Sequence, residues 1–412
     1  MNLFAHQQQI VTDDPKKCGI WWGTGSGKTR VALMLARGKT LVICPKTQKE
    51  DRNWEREAEK MELQLDLTVI SKETFRRDWE LLERFDTVIV DEAETCLGVT
   101  PNTRQRKKMI IPKASQLFEA LEAFLARTEP SRLYLCTATI TRSPMTVWAA
   151  ARLLGYDWNF YQWREAFYQR LPMPGREVYT QKQTEECKDR LAKAVQGIGY
   201  VGRLEIWTDV PDQTFKNDYV NLREGQKKRL KELKLEFPDP IVCLGKRLQV
   251  ENGVLTGDEY TSAERLPNEK LDRILHYAEE FPRLIIWAKY TGQIQYYYEE
   301  LAKKKYNVHL LTGTTKNRDT LFKTLKGSEK AILIAQCQIS AGWELPEFPT
   351  MIFASMSYSV SDRIQAEGRI QRVNNIKKNL YITLIAKDGV DEQVFKCIEN
   401  KKDFSERVYL KI

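Results

Sequence analysis

The chain has 412 residues, enough for two or three domains, and its 42% hydrophobic and 29% charged content is that of a water-soluble globular protein. A formal charge of +9 is compatible with a polyanionic partner without requiring one. No apolar run approaches the length of a membrane span, the N-terminus does not read as a signal peptide, and the eight cysteines and three histidines are too scattered for a zinc or disulfide pattern, so a cytoplasmic protein with no membrane association is expected.

In chain order, Gln7 comes first as a side chain that could donate to and accept from the edge of adenine. Cys18–Trp22 reads as a buried strand, and Lys28–Arg37 reads as a helix. Between them runs Gly23-Thr24-Gly25-Ser26-Gly27-Lys28-Thr29, a phosphate loop in composition. Its glycines let backbone N–H groups turn onto phosphate oxygens at the positive end of the following helix. Lys28 is expected on the β/γ-phosphates of ATP and Thr29 on a bound Mg2+; Trp22 stands where the strict pattern has glycine. The apolar runs Thr40–Cys44, Thr68–Ile70, Asp86–Val90 and Arg132–Cys136 read as further strands of a parallel sheet, whose C-terminal ends form a ligand-facing edge.

Asp91 and Glu92 lie at one such end, where Asp91 suits the metal shell and Glu92 the attacking water. From Thr95 to Phe118 there is no acid, and Arg104, Arg106, Lys107 and Lys108 make this either a solvated loop or a phosphate-contacting one. The last strand of the group runs into Thr137-Ala138-Thr139, small hydroxyl residues suited to coupling the triphosphate site to a second lobe. Residues 155–267 lose the strand–helix alternation. There Tyr156–Trp163 reads as core-packing aromatics, Leu171–Gly175 as a loop and Leu248–Tyr260 as a hairpin. Alternation resumes with strands at Leu284–Trp287, Val308–Leu311, Ala331–Ile334 and Met351–Phe353. Gln365, Gly368, Arg369 and Arg372 are spaced to share neighbouring turns of one helical stretch, so that both guanidinium groups could face one partner.

Taken together, the glutamine, the Gly27-Lys28-Thr29 loop, the Asp91–Glu94 box, the Thr137–Thr139 triplet and the Gln365–Arg372 pattern resemble the superfamily 2 helicases. Pro45-Lys46, Trp54 and Glu57 are most similar to the Snf2 branch, in which Glu94 would usually be histidine. The resemblance implies two tandem RecA-like parallel-sheet lobes of α/β class, 1–154 and 268–412, with an inter-lobe extension at 155–267. ATP would be bound by the first lobe, with Gly342 and Gln365 among its contacts, and Arg369 and Arg372 would act as arginine fingers. Lys46, Ser71, Thr312 and Gly313 would meet the nucleic-acid backbone. A monomeric DNA helicase or translocase for branched, duplex or single-stranded DNA is expected, resembling small phage-type helicases of replication, recombination or repair. An RNA helicase and a non-catalytic nucleotide-gated DNA-binding module remain as alternatives.

Overall fold

The computed structural model describes residues 3–23, 25–106, 109–173, 176–202, 213–257, 263–339, 343–371 and 378–400. The chain divides into two compact units, 1–208 and 209–412. The stretch 155–267, expected as an extension between lobes, is thus shared between the two.

In the first unit the strands in chain order are β1 (Lys17–Trp22), β2 (Lys39–Cys44), β3 (Asp66–Ser71), β4 (Thr87–Asp91), β5 (Val99–Arg106), β6 (Met109–Ala114), β7 (Arg132–Cys136), β8 (Tyr168–Met173), β9 (Arg176–Gln181) and β10 (Gly199–Gly202). Six form one parallel sheet in the order β10-β1-β7-β4-β2-β3. Both faces are covered, which is why these strands read as unbroken apolar runs. Alternate residues go to opposite cores: Val88, Val90, Leu133 and Leu135 pack with Phe118 and Trp148, whereas Ile89, Tyr134, Ile20 and Val42 pack with Val31 and Trp54. At the β1/β10 pairing Gly19 faces Gly199. The Trp21 ring lies so close over both that a Cβ on Gly19 would fall 1.8 Å from it.

The acid-free basic segment is not an open loop. It forms the antiparallel hairpin β5/β6, and Lys107 and Lys108 lie outside the described residues. Most of the Leu171–Gly175 segment likewise belongs to a hairpin, β8/β9, with Met173 paired to Arg176. Arg164 joins the two hairpins: its Nη1 donates to Pro101 O of β5 at 3.5 Å, and its guanidinium lies 4.7 Å from the Tyr179 ring of β9.

In the second unit, β11 (Gln213–Val220), β12 (Val254–Leu255), β13 (Glu264–Arg265), β14 (Arg283–Ala288), β15 (Val308–Leu311), β16 (Ala331–Gln336), β17 (Thr350–Phe353) and β18 (Asn379–Ala386) follow. Six again make a parallel sheet, β11-β18-β17-β14-β16-β15. Ile285, Trp287, Met351 and Tyr381 line one face, and Leu284, Ile286, Ile352 and Ile382 the other. The architecture is two parallel α/β lobes of RecA-like type, as expected.

The hairpin expected over Leu248–Tyr260 is displaced. Residues Pro240–Glu251 are helical, started by Asp239, whose Oδ1 accepts from the N–H groups of Ile241 and Val242, and by Pro240 at the first helical position. The pairing that does form is between Val254–Leu255 and Glu264–Arg265. No helix among the described residues is long and apolar enough to cross a membrane.

A buried polar cluster ties the second unit together. Lys270 is fully buried and donates to Asn252 Oδ1 (2.7 Å), Ala354 O (2.7 Å) and Asp391 Oδ2 (2.8 Å), so each ammonium proton has an acceptor. Next to it, Glu251 accepts from the buried N–H groups of Val390 and Asp391, which have no intrahelical acceptor at the start of the helix Val390–Glu399. Burial nevertheless pushes the Glu251 carboxyl up to about 7. Because the folded value lies above the unfolded one, the stability this group contributes is complete below about pH 4.5 and lost as pH rises through about 7. The expected result is a second-unit stability that falls by about 3 kcal/mol more between pH 5 and 8 in the parent than in Glu251→Gln. Urea midpoints across that range measure it, and parallel curves would disprove it.

Candidate nucleotide and nucleic-acid sites

Sheet order decides which strand ends are neighbours. Since β7 lies between β1 and β4, the phosphate loop, Thr137 and Asp91 follow one another along one edge, with Lys46 (after β2) and Ser71 (end of β3) next in the row. The phosphate loop and Asp91 therefore occupy one half of the edge and Lys46 and Ser71 the other.

In the loop, Gly25 and Gly27 have φ of 77° and 82°, left-handed conformations that suit glycine, and Gly27 caps the helix Lys28–Leu35. A Cβ at Gly27 would also fall 2.3 Å from Gln7 Nε2. Ser26 Oγ donates to Gly23 O at 2.7 Å. Lys28 Nζ donates to Trp22 O and Gly23 O at 2.8 and 2.9 Å, so the ammonium lies within the loop where a β/γ-phosphate would take over these contacts. Thr29 sits in the first turn of the helix and Thr24 lies outside the described residues.

Gln7 is 2% exposed; its Nε2 donates to Ser26 O at 3.0 Å and its Oε1 accepts from Phe4 N at 3.1 Å. His6 Nε2 is 3.2 Å from the same Ser26 oxygen, and the His6 ring meets Trp22 edge-on at 4.9 Å. In this structure the glutamine expected to face adenine clips the N-terminal helix onto the phosphate loop. On the other flank, Trp54 is fully buried and Glu57 pairs with Arg30 of the loop's helix at 3.1 Å.

Asp91 ends β4, with its Oδ1 accepting from Glu92 N at 2.9 Å. Glu92 has a left-handed backbone (φ 45°), and the single turn Ala93–Thr95 that follows packs against the turn Ile140–Arg142 after Thr139. Thr137 is buried, accepts from Thr139 N at 3.0 Å, and through its own N–H bonds Ile20 O of β1. The turn after the Thr137–Thr139 triplet therefore packs against the turn that follows Glu92 and carries Glu94. Burial raises the Asp91 carboxyl, opposed by Lys72 and then Lys28. Burial likewise lowers Lys28, opposed by Asp91. A triphosphate would favour the charged form of Lys28 and a divalent cation that of Asp91. Asp91 and Thr29 supply the hard oxygen donors suited to Mg2+ that also keeps phosphate and water ligands, and the raised Asp91 carboxyl is a group whose charged form a cation would favour. Glu94 is 6% exposed and its Oε2 has no hydrogen-bond partner among the described residues.

A further residue, Lys72 after the end of β3, lies beside these acids. Lys72 is 7% exposed, and its Nζ donates to Glu92 O at 2.8 Å and to Thr95 Oγ1 at 2.6 Å. The signal available in the sequence is a lysine directly after an apolar strand.

Of the nucleic-acid candidates, Lys46 is exposed, while Ser71 is buried and caps the helix Lys72–Asp78 by accepting from Thr74 N. Arg104 pairs with Glu119, and the side chain of Arg106 is outside the described ones. In the second unit Thr312 follows β15; its N–H donates to Thr315 Oγ1 at 2.8 Å, and Gly313 beside it is exposed.

Gln365 lies in the helix Val360–Glu367, but that helix stops at Gly368, so Arg369 sits in the following turn rather than on a continued helical stretch. Arg369 is 8% exposed; its Nε donates to Gln365 O at 2.9 Å and its Nη1 to Trp343 O at 2.8 Å. Those backbone acceptors hold the Arg369 guanidinium. Gly342 and Arg372 lie outside the described residues.

Residues 267–374 match the family described as helicase conserved C-terminal domain. No curated protein matches the chain. Among solved structures, the Sulfolobus solfataricus SWI2/SNF2 ATPase core in complex with dsDNA is similar at 17% identity over 97% of this chain and 91% of that one, with a TM-score of 0.42. Residues 267–374 are thus similar to a helicase conserved C-terminal domain, and the Gly27-Lys28-Thr29 loop and the Asp91–Glu94 box lie ahead of them in the chain.

Proposed function

We propose that this chain is a DNA helicase or translocase that hydrolyses ATP to move on DNA and remodel it. The observation that carries the reading is the row formed by Lys28, Thr137 and Asp91 at three adjacent strand ends of a lobe followed by a helicase C-terminal domain. Lys28 and the loop N–H groups hold the triphosphate, and Glu92 orients the water and takes its proton. Asp91 and Thr29 would hold Mg2+, which would neutralise phosphate charge. Arg369 and Arg372 stabilise the charge developing on the transferred phosphoryl group. Lys46, Ser71, Thr312 and Gly313 contact the backbone, and contacts that differ between nucleotide states produce stepping. The hairpin β5/β6, with no acid from Val99 to Ala114, suits the duplex ahead of a fork, so branched DNA in replication, recombination or repair is the proposed substrate.

ATP turnover measured with single-stranded, duplex, forked and four-way DNA and with RNA, at one salt concentration, tests the reading. Highest stimulation by forked or four-way DNA is expected, and highest stimulation by RNA would replace it. Arg369→Lys tests the second lobe's part. Stimulated turnover is expected to fall by at least about 10³-fold, with ATP affinity close to the parent's, because a lysine cannot reproduce the planar bidentate contact. Normal stimulated turnover in a folded variant would remove Arg369 from the mechanism.

A further inference from the structure

Glu92 can activate water only if its carboxylate is aimed, and its backbone is gripped on both sides. On one side its N–H donates to Asp91 Oδ1 at 2.9 Å. On the other its carbonyl accepts from Lys72 Nζ at 2.8 Å, and Thr95 Oγ1 completes a triangle by lying 2.6 Å from that ammonium and donating to Glu92 O at 3.1 Å. The residue so held has φ 45°, a left-handed conformation that a glutamate keeps only where its surroundings impose it. Lys72 comes from the end of β3, whereas Glu92 follows β4, and in the sheet β2 separates these strands. A buried lysine therefore reaches across a strand end to the segment Asp91–Thr95, whose carbonyl and hydroxyl acceptors satisfy an ammonium only 7% exposed.

We propose that Lys72 is a positioning residue for the hydrolytic step: it fixes the Glu92 backbone so that the carboxylate points at the attacking water. Its immediate neighbour Ser71 lies on the half of the edge proposed to meet DNA, and both belong to the start of one helix. The inference rests on the proposed ATPase activity and adds a residue to it.

The experiment compares kcat and KM for ATP, with and without forked DNA, in the parent, Lys72→Met, Lys72→Arg and Thr95→Val. Displacing a reacting group by about 1 Å costs on the order of 10²-fold, so Lys72→Met should lower DNA-stimulated kcat by about 10- to 100-fold. KM should stay within about twofold, since the phosphates are held by other residues. Lys72→Arg, which keeps a donor cation, should recover part of the loss, and Thr95→Val, which removes one acceptor, should show a smaller fall in kcat. A parent without ATP turnover overturns the functional reading itself. A parent with turnover that Lys72→Met matches, or a loss shared equally by nucleotide affinity, overturns the role of Lys72. If Lys72→Met fails to fold, Thr95→Val decides, and an unchanged kcat there overturns the proposal.

Discussion

Glu92→Gln is expected to lower DNA-stimulated ATP turnover by about 10²–10³-fold, about 2.7–4 kcal/mol in the barrier, while leaving ATP affinity near the parent's. The amide keeps the shape of the side chain but cannot accept the proton of water. Lys28→Ala should abolish turnover too, and with it most of the affinity. Lys28 is the cation of the loop, its two carbonyl partners Trp22 and Gly23 belong to the loop backbone, and its removal leaves Asp91 without one of the two lysines that oppose its protonation. Binding of a fluorescent ATP analogue beside steady-state turnover separates the two variants. Glu92→Gln with parental turnover, or Lys28→Ala with parental affinity, would refute the respective role.

Lys270→Met is expected to destabilise the second unit by about 3–5 kcal/mol, because removing one partner of a buried ion pair leaves the other charge uncompensated. The side chains of Lys270 and Asp391 are only 1% and 2% exposed, so water cannot replace the lost ammonium. Asp391 would retain Asn252 Nδ2 at 3.3 Å and Ala386 N at 3.0 Å, too little for a buried carboxylate. Asp391→Asn in the Lys270→Met background should recover part of the loss, since it removes the stranded charge. Urea unfolding followed by Trp287 and Trp343 fluorescence provides the measurement, and a change below about 1 kcal/mol would show that the pair is solvated or dispensable.

The two parallel sheets were legible because strands covered on both faces, such as Val88–Val90 and Leu284–Trp287, are unbroken apolar runs followed by helices. The phosphate loop and the acids were legible because their spacing is local. Other elements depend on distant partners. In β5/β6 the charged residues and Pro101 and Pro112 obscure any alternation, and Arg164, sixty residues along the chain, helps to hold the hairpin. The helix Pro240–Glu251 carried an Asp-Pro start that was outweighed by the β-prone residues and glycine near its end. The grip of Lys72 on Glu92 leaves no trace in the sequence beyond a lysine after an apolar strand, since it follows from the order β4-β2-β3 and not from any spacing.

Each sheet has an outermost strand drawn from the stretch between the two motif-bearing halves. β10 covers the flank of β1, and β11 pairs along all eight of its residues with β18. Dissecting the gene at the motif boundaries would therefore strip one strand from each product. A fragment ending at 154 would present the bare backbone of β1 and a fragment starting at 268 that of β18, both apolar edges that invite pairing with another molecule. A cut between β10 and β11 leaves both flanks covered, so halves divided at the unit boundary after 208 can be produced, mixed and asked whether ATP turnover needs them joined.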